Sequence, residues 1–600
     1  MISRVLSIYE SRADSSKIES KLIRKRINLF SFIRLFLFVL AIFLMAFWFN
    51  SHLALAISSS LSALVILVVF VRLSSNLSAR QRMLDEIIRI NEEESLVLDW
   101  KYDSFLSGHE YIDPEHPNTS DLDIFGKNSL FQFLNRTSIT KGMDQLAAWL
   151  STPSSVKQIL SRQEAVEELA LKLEWRQEFL ATGRMSEETR EDYLKLESWL
   201  NEKALITGSR FYRTLLQILP ALTILSIALA FRWIPYNIPV FLFLVQLGLV
   251  GINLRRINHH HNQISRKFKL IDNFSSLIKL VEDEKFSCEN LRNLQTGLSS
   301  SGIKASLQLG KLARIVVQFD GRLNMIMGFI LNGLLMWDLL CILRLENWKD
   351  ANAKEVPGWF NILGEFEALN SLGNFRFNSP GSVFPEICND DLMVEAEFLG
   401  HPLIPEKENI RNDLKISRPG EFLLITGSNM AGKSTFLRSV GVNLILANAG
   451  APVLARKMKW QALRVLTSMR VKDSLSSRES TFYAELKRLR MIIEVIKKGE
   501  RIFVILDEIL KGTNSRDKHF GSEMFIRQLI EEDCGGLIAT HDLELNSLEK
   551  EFPEQVLNYC FEVQINKQEF IYDYKLRRGV CQTMNATELM KKMGISIDRK

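Results

Sequence analysis

Two long apolar runs near the start of the chain set the tightest limit on its fold. Residues 27–49 are apolar except for Asn28 and Arg34, and a second run, 53–71, follows the short break 50–52. A helix of about 20 residues crosses the hydrocarbon core of a bilayer. The two runs therefore predict a transmembrane helical hairpin whose outer turn is the break at 50–52.

Basic residues flank this hairpin on both sides: Arg24, Lys25 and Arg26 before it, and Arg72, Arg80 and Arg82 after it. Loops that stay in the cytoplasm carry an excess of lysine and arginine, so both ends are predicted to be cytoplasmic. A cleaved signal peptide would have one apolar segment rather than two. We expect an integral protein of the cytoplasmic (inner) membrane, with the rest of the chain in the cytoplasm.

A second pair of apolar runs, 214–231 and 238–254, has arginines on both flanks and predicts a second transmembrane hairpin. A third apolar segment, 324–343, contains Asn332 and Asp338. Because a charge is costly in lipid, this segment is predicted to be a buried helix of a soluble domain, with a membrane span as the alternative.

The remaining composition excludes some kinds of site. Consecutive histidines at 259–261 point in different directions on a helix and cannot easily converge on one metal ion, so a solvated stretch beside the membrane is expected. The six cysteines are scattered without a C-x-x-C pair, which argues against a disulfide framework or a zinc site. A net charge of +5 over 600 residues does not by itself predict nucleic-acid binding.

The pattern of apolar residues changes near residue 395. Before it, apolar positions recur at helical spacing, as in 142–181. After it, short apolar runs such as 421–427 and 501–508 alternate with helical stretches, which predicts a parallel sheet. In chain order the expected units are a cytoplasmic leader (1–28), a transmembrane hairpin (29–72), a helical core (73–210), a second hairpin (211–256), further helical core (257–395) and an α/β domain (396–600).

A phosphate-binding loop opens the α/β domain. Gly427, Gly432, Lys433 and Ser434 fit G-x-x-x-x-G-K-[ST], after an apolar run and before a helical stretch. Backbone N–H groups of such a loop turn toward phosphates, and the helix N-terminus adds its positive dipole. Lys433 is predicted to reach the β and γ phosphates, and Ser434 to offer its hydroxyl to Mg2+. The cofactors expected are therefore ATP and Mg2+.

Two later strand ends supply the catalytic groups of a predicted ATP hydrolase. Asp507 and Glu508 end the run 501–508, where Asp507 would hold magnesium and Glu508 would polarise the attacking water. The alternative for this pair is an ordinary strand end with exposed acids. His541 ends another short strand and can hydrogen-bond the γ-phosphate or the water.

Four motifs together resemble the MutS family of DNA mismatch-repair ATPases: "TGSNMAGKSTFLR" (426–438), "SSRESTFYAEL" (476–486), "LDEILKGTNSRD" (506–517) and "ATH" (539–541). Upstream segments, including 121–153 and 364–375, resemble the helical lever region of that family. The resemblance covers about 115–210 and 350–600. It implies an α/β P-loop ATPase domain with a parallel sheet, preceded by an all-α lever domain that the transmembrane hairpins interrupt here.

The resemblance also implies a nucleotide site shared between two subunits of a homodimer. The loop residues that would cradle the triphosphate are Gly427, Ser428, Asn429, Met430, Ala431, Gly432, Lys433, Ser434 and Thr435. Ser480 and Thr481 would act on the nucleotide of the other subunit, while Asn514 and Asp517 would lie along the same dimer contact.

The departures from the family leave the partner open. In the family an F-x-E element of an N-terminal module wedges into mismatched DNA, whereas residues 1–110 here are a leader, a hairpin and a link. Matches to F-x-E at 384–386 and 552–554 lie in other regions. Ser428 and Ala431 replace a proline and a glycine, which such a loop tolerates.

The function predicted from the sequence is a membrane-anchored, MutS-like ATPase that moves helical lever arms. The resemblance implies that it binds DNA, and it leaves open whether mismatched DNA is recognised. The alternative is a nucleotide-driven membrane switch that acts on a protein or lipid partner without DNA. A transporter is disfavoured because the predicted spans hold few polar residues to line a path, Gln217 and Gln246 being the exceptions.

Overall fold

The computed structural model describes residues 2–49, 53–186, 188–202, 210–264, 268–299, 302–388, 391–428, 431–469, 481–566 and 569–581. Within these ranges the chain is helical up to residue 378 and forms mixed sheets flanked by helices after it.

A helical hairpin much longer than its apolar runs opens the chain. Helix α1 (Ile2–Trp48) and helix α2 (Leu53–Leu98) pack side by side. At about 1.5 Å per residue, a helix of 47 residues is about 70 Å long, more than twice the thickness of a hydrocarbon core. The leader 1–28 is therefore continuous with the first apolar run, and the predicted outer turn at 50–52 lies outside the described residues.

Buried polar contacts join the polar half of this hairpin to the core. The Glu94 carboxylate pairs with Arg136 and accepts a hydrogen bond from Asn378 (2.8 Å), and all three side chains are buried. Tyr9 donates to the Asn378 amide oxygen (2.7 Å). Breaking a buried pair leaves an uncompensated charge, so these contacts attach the polar half of the hairpin to the core.

The helical core contains α3 (Leu130–Leu134), α4 (Thr140–Ser151), α5 (Val156–Leu171), α6 (Leu173–Arg184), α7 (Arg190–Asn201), α10 (Leu254–Ile264), α11 (Phe268–Asp283), α12 (Glu289–Gly297), α13 (Ala305–Asp320), α15 (Trp337–Asn352) and α16 (Val356–Asn378). Helix α16 lies at its centre and packs against α4 and α5: Gly364 lies against Lys141 of α4, and Gly373 lies against Leu169 of α5. Its last turn carries Asn374 and Asn378, the residues that meet Tyr9 of α1.

A second apolar hairpin is formed by α8 (Arg210–Ala230) and α9 (Asn237–Ile252), and α14 (Met325–Leu335) packs beside it. The fully buried Gln246 donates from Nε2 to the Thr223 hydroxyl, so it joins α8 to α9 rather than lining a path. Among the described residues, three helices (α1, α2 and α8) are long and apolar enough to cross a membrane. The number rises to five if the bent pairs α9–α10 and α14–α15 each count as one span.

The prediction of one buried helix over 324–343 is wrong. The chain bends by 77° at Met336, whose φ of 49° is left-handed, between α14 and α15. Helix α15 is buried and its Asp338 pairs with Arg322 (3.0 Å), which compensates the charge. Helix α14 instead leaves Met325 and Ile326 more than 70% exposed.

The histidine stretch is not solvated as predicted. His260 and His261 are buried in α10, and the His261 Nε2 atom lies 3.0 Å from an Asp320 carboxylate oxygen. His259 is exposed, 3.1 Å from Glu202. The cause is the helical period: the spacing of Ile257, His260, His261 and Ile264 places all four on the inner face of α10.

The α/β domain has a central sheet of six strands in the order β10-β9-β4-β8-β7-β6. Their bounds are β4 (Phe422–Gly427), β6 (Arg464–Ser468), β7 (Ile502–Asp507), β8 (Gly535–Ala539), β9 (Val556–Asn566) and β10 (Glu569–Arg578), and the flanking helices are α17 (Lys433–Ala449), α18 (Thr481–Lys497), α19 (Ser515–Glu531) and α20 (Leu548–Glu551). Five strands are parallel, as predicted, while β10 returns antiparallel to β9.

A smaller sheet, not predicted from the sequence, joins this domain to the helical core. Its strands are β1 (Glu386–Ile387), β2 (Val394–Leu399), β3 (Asn412–Ile416) and β5 (Lys457–Trp460). Their order is β1-β5-β2-β3, with β1 parallel to β5 and the other pairs antiparallel.

Candidate nucleotide site

The phosphate-binding loop lies at the carboxyl end of β4, between β8 and β9. Gly427 and Gly432 have φ of 150° and 103°, in the region that favours glycine. A Cβ atom at Gly432 would lie 2.9 Å from the Tyr574 ring, and one at Gly427 would lie 2.7 Å from the Phe561 carbonyl oxygen. Both positions therefore require glycine. Two other predicted site residues of this loop, Asn429 and Met430, lie outside the described residues.

Lys433 reaches back across its own loop from the first turn of α17. Its Nζ donates to the carbonyl oxygens of Gly427 (2.7 Å) and Ser428 (3.1 Å) and lies 3.2 Å from His541 Nε2. Burial lowers the pKa of the Lys433 ammonium, since desolvation penalises its charge. An anion that met this ammonium would replace the neutral carbonyl partners with a charged one.

The two predicted magnesium ligands are in contact. The Ser434 hydroxyl, on α17, donates to Asp507 Oδ2 (2.5 Å), at the end of β7. Mg2+ is held by one or two protein oxygens together with phosphates and water. A hydroxyl and a carboxylate at this spacing fit that ion. Of the other predicted residues of the phosphate loop, Ala431 is buried and Thr435 is exposed.

Glu508 and His541 form a hydrogen-bonded pair beside the loop. His541 Nε2 lies 2.6 Å from Glu508 Oε1, and Lys511 Nζ lies 3.4 Å from Oε2 of the same carboxylate. The hydrogen bond from His541 lowers the pKa of Glu508 to about 2. The Glu508 N–H donates to the Ala539 carbonyl (2.9 Å), which ties the end of β7 to β8.

The backbone at this strand end is strained. Glu508 and Leu510 have φ of 50° and 60°, a left-handed conformation that residues with a Cβ rarely adopt. Such conformations cost free energy and persist where the surroundings impose them, commonly at functional sites. The strain turns the Glu508 side chain from the strand end toward the loop.

A cavity of about 760 Å³ opens beside these groups, a size typical of small-molecule sites. The phosphate loop and Glu508 line one side of it. The opposite side was not predicted from the sequence: Ile404, Pro405, Ile410, Tyr572 and Tyr574. The two tyrosine rings stack with centroids 6.0 Å apart. Their spacing of two along β10 is a signal for a shared strand face.

Of the four residues expected at a subunit contact, the structure describes three. Ser480 lies outside the described residues, and Thr481 begins α18. Asn514 caps α19, where its side-chain oxygen accepts from the Asp517 N–H (2.9 Å). Both Asn514 and Asp517 are exposed, and their place at a dimer contact stays a prediction.

Comparisons with known proteins agree with the motifs. The family model of MutS domain V matches residues 423–596. The DNA mismatch repair protein MutS of Thermotoga petrophila is 34% identical over 198 residues, which is 32% of this chain and 25% of that protein. The MutS of Aquifex pyrophilus is 28% identical over 316 residues, 52% of this chain and 35% of its own length.

A human relative, MutS protein homolog 4, is 30% identical over 195 residues, covering 31% of this chain and 20% of the human protein. The chain spans about a quarter of the length of the first curated relatives it matches. The family model locates the similarity that it detects in the α/β domain.

The position of Lys433 gives a first test. Lys433→Ala should weaken ATP binding by at least about 100-fold, because charge-assisted hydrogen bonds to phosphate are lost. Binding would be measured by equilibrium titration of the full chain with a fluorescent ATP analogue. Lys497→Ala, at an exposed position of α18, is the matched control and should bind as the parent does. Parental affinity in Lys433→Ala would contradict the assignment of this loop.

Proposed function

The chain belongs to the MutS family, and on that premise we propose that it is a membrane-anchored ATPase that binds and hydrolyses ATP with Mg2+ at this cavity. One observation carries the proposal: Lys433, the Ser434–Asp507 pair and the Glu508–His541 pair come from separate elements and meet at one edge of the sheet. Each group has the chemistry that phosphoryl transfer to water needs.

In the proposed reaction, Lys433 exchanges its carbonyl partners for phosphate oxygens, and Ser434 and Asp507 hold the metal ion. A bound Mg2+ neutralises charge on the phosphates. Water attacks the γ-phosphorus and the bond from that phosphorus to the β–γ bridging oxygen breaks. The proton that the water loses passes to an oxygen of the transferred phosphate, and the products are ADP and inorganic phosphate. A carboxylate with a pKa of about 2 is a weak base, so Glu508 orients the water by accepting its hydrogen bond. His541 keeps Glu508 in place.

The proposed working unit is a homodimer. The segment 476–486 resembles the family element that acts on the nucleotide of the other subunit. In this proposal ATP brings the two α/β domains together, and hydrolysis with product release separates them, which moves the helical cores that they carry.

The proposed location is the cytoplasmic (inner) membrane, with the α/β domain in the cytoplasm. Large apolar side chains such as Phe32, Phe36 and Phe43 are more than half exposed along α1, and the same holds for Phe241 and Leu244 on α9. Exposed apolar surface this continuous marks an interface rather than a solvated face. Helix α14 extends the surface beside α9, where Gly333 lies against the Phe243 ring.

Two alternative partners are proposed for the helical cores that ATP hydrolysis moves. The relatives from Thermotoga petrophila and Aquifex pyrophilus are DNA mismatch repair proteins, which favours DNA. The second candidate is a protein or lipid partner at the membrane, and the buried contacts between the α1–α2 hairpin and the core favour it. A core that carries membrane helices passes its motion to those helices.

Glu508→Gln tests the reaction. The variant should bind ATP with parental affinity and hydrolyse it about 100-fold more slowly or worse, because the amide orients water poorly. Steady-state phosphate release and size-exclusion chromatography with ATP would be measured together, with a trapped dimer as the second expected result. Glu531→Gln, at an exposed position of α19, is the control. Undiminished turnover in Glu508→Gln would move the catalytic role to another group.

Cysteine labelling tests the membrane location. Arg232→Cys, in the turn between α8 and α9, should react with an impermeant maleimide added outside intact cells, above the signal of the parent chain. Lys497→Cys on the α/β domain should react only after the cells are opened. Equal labelling of both variants in intact cells would refute the proposed topology.

A DNA-binding measurement on the detergent-solubilised dimer distinguishes between the two proposed kinds of partner. Mismatched and matched duplexes would be titrated with ATP at two salt concentrations. ATP-dependent binding that prefers the mismatch is expected if the chain acts on DNA, whereas binding that disappears at the higher salt is non-specific attraction to phosphates. No binding at either salt would favour the protein or lipid partner.

A further inference from the structure

One wall of the nucleotide cavity is formed by a loop that is held together by its own hydrogen bonds. The β2–β3 loop, residues 400–411, contributes Ile404, Pro405, Asn409 and Ile410 to the cavity. Asn409 Nδ2 donates to the carbonyl oxygens of His401 (2.8 Å) and Ile404 (3.1 Å), and Asn409 Oδ1 accepts from the His401 N–H (3.1 Å). These hydrogen bonds join the two ends of the loop to each other, so a displacement at one side of the loop is transmitted to the other side.

The α1–α2 hairpin contacts the far side of the same loop. Trp100, two residues after α2, donates its indole N–H to the Leu403 carbonyl oxygen (3.1 Å). A second cavity, of about 380 Å³, lies between the hairpin residues Ile2 and Val97 and the loop residue Ile404. Ile404 therefore lines both cavities and separates the hairpin end from the nucleotide cavity.

The loop also connects to the phosphate-binding loop. Asn412, the first residue of β3, donates from Nδ2 to the Tyr574 carbonyl (3.0 Å) and accepts from the Leu576 N–H (2.9 Å). The Tyr574 ring lies against Gly432. Trp100 and Tyr574 both have left-handed φ, 62° and 53°, so the packing at each end of this path imposes an unfavourable conformation.

We propose that the β2–β3 loop couples the α1–α2 hairpin to the nucleotide cavity and that Trp100 is the positioning residue at the contact. A displacement of the hairpin end moves Leu403 and Ile404 and changes the affinity for nucleotide. By linkage, nucleotide changes the free energy of that displacement by the same amount. The inference rests on the proposed function only in that the cavity binds ATP.

Trp100→Phe tests this coupling in the full chain, reconstituted in lipid nanodiscs. The phenyl ring retains packing and loses the hydrogen bond to Leu403. ATP affinity should fall by about 3- to 10-fold, the range for one hydrogen bond, while kcat at saturating ATP changes by less than about twofold. Trp348→Phe is the matched control, because it loses an indole N–H bond to the Gln308 carbonyl (2.8 Å) inside the helical core.

Hydrogen exchange supplies the reciprocal measurement. ATP should slow amide exchange at residues 96–101 in the parent and in Trp348→Phe, and this protection should be lost in Trp100→Phe. Equal changes in both variants would mean general destabilisation and would overturn the proposal. A parent that binds ATP and a Trp100→Phe variant that binds it identically would overturn the coupling alone. A parent that binds no ATP would overturn the proposed function as well.

Discussion

The parallel pairing of β4, β8 and β7 is the constraint on which the candidate site depends. Ile425 pairs with Ala539, and Ala539 pairs in turn with Asp507, so three strand ends lie at the same height. Parallel strands direct their carboxyl ends to one edge, where loops from distant parts of the chain meet. Lys433, Asp507 and His541 are close because this register is fixed by strands that are buried on both faces. A shift of one residue in β7 would turn Asp507 away from Ser434.

The predictable part of the site was the part whose signal is local in sequence. The phosphate loop requires glycines at fixed spacing, and Asp507, Glu508 and His541 directly follow short apolar runs, so each could be placed without knowledge of the fold. The spacing of Tyr572 and Tyr574 indicates a shared strand face but not the cavity that it lines, and the β2–β3 loop carries no local signal. The role of both arises from contacts across more than a hundred residues.

The fold was predictable to a similar degree. Apolar runs and helical periodicity gave the hairpins, the helical core and the parallel strands. The break at Met336 was missed because it occurs without glycine or proline, in a left-handed conformation that tertiary packing imposes. The burial of His260 and His261 was not predicted because it depends on their helical spacing from Ile257 and Ile264, and not on the polarity of the histidine stretch. The helical extension of the leader was missed because its partner, α2, is distant in sequence and supplies its packing.

The length of α1 has a mechanical consequence. A helix of about 70 Å that is fixed near one end converts a small rotation at that end into a larger displacement of its other end. Tyr9 holds α1 near its first residue, so a rotation of about 5° at that contact moves the end of the apolar half, about 60 Å away, by about 5 Å. Helices adjust to a thinner bilayer by tilting, so for a hairpin that lies in lipid, as proposed, a change in bilayer thickness would act on the core through this length.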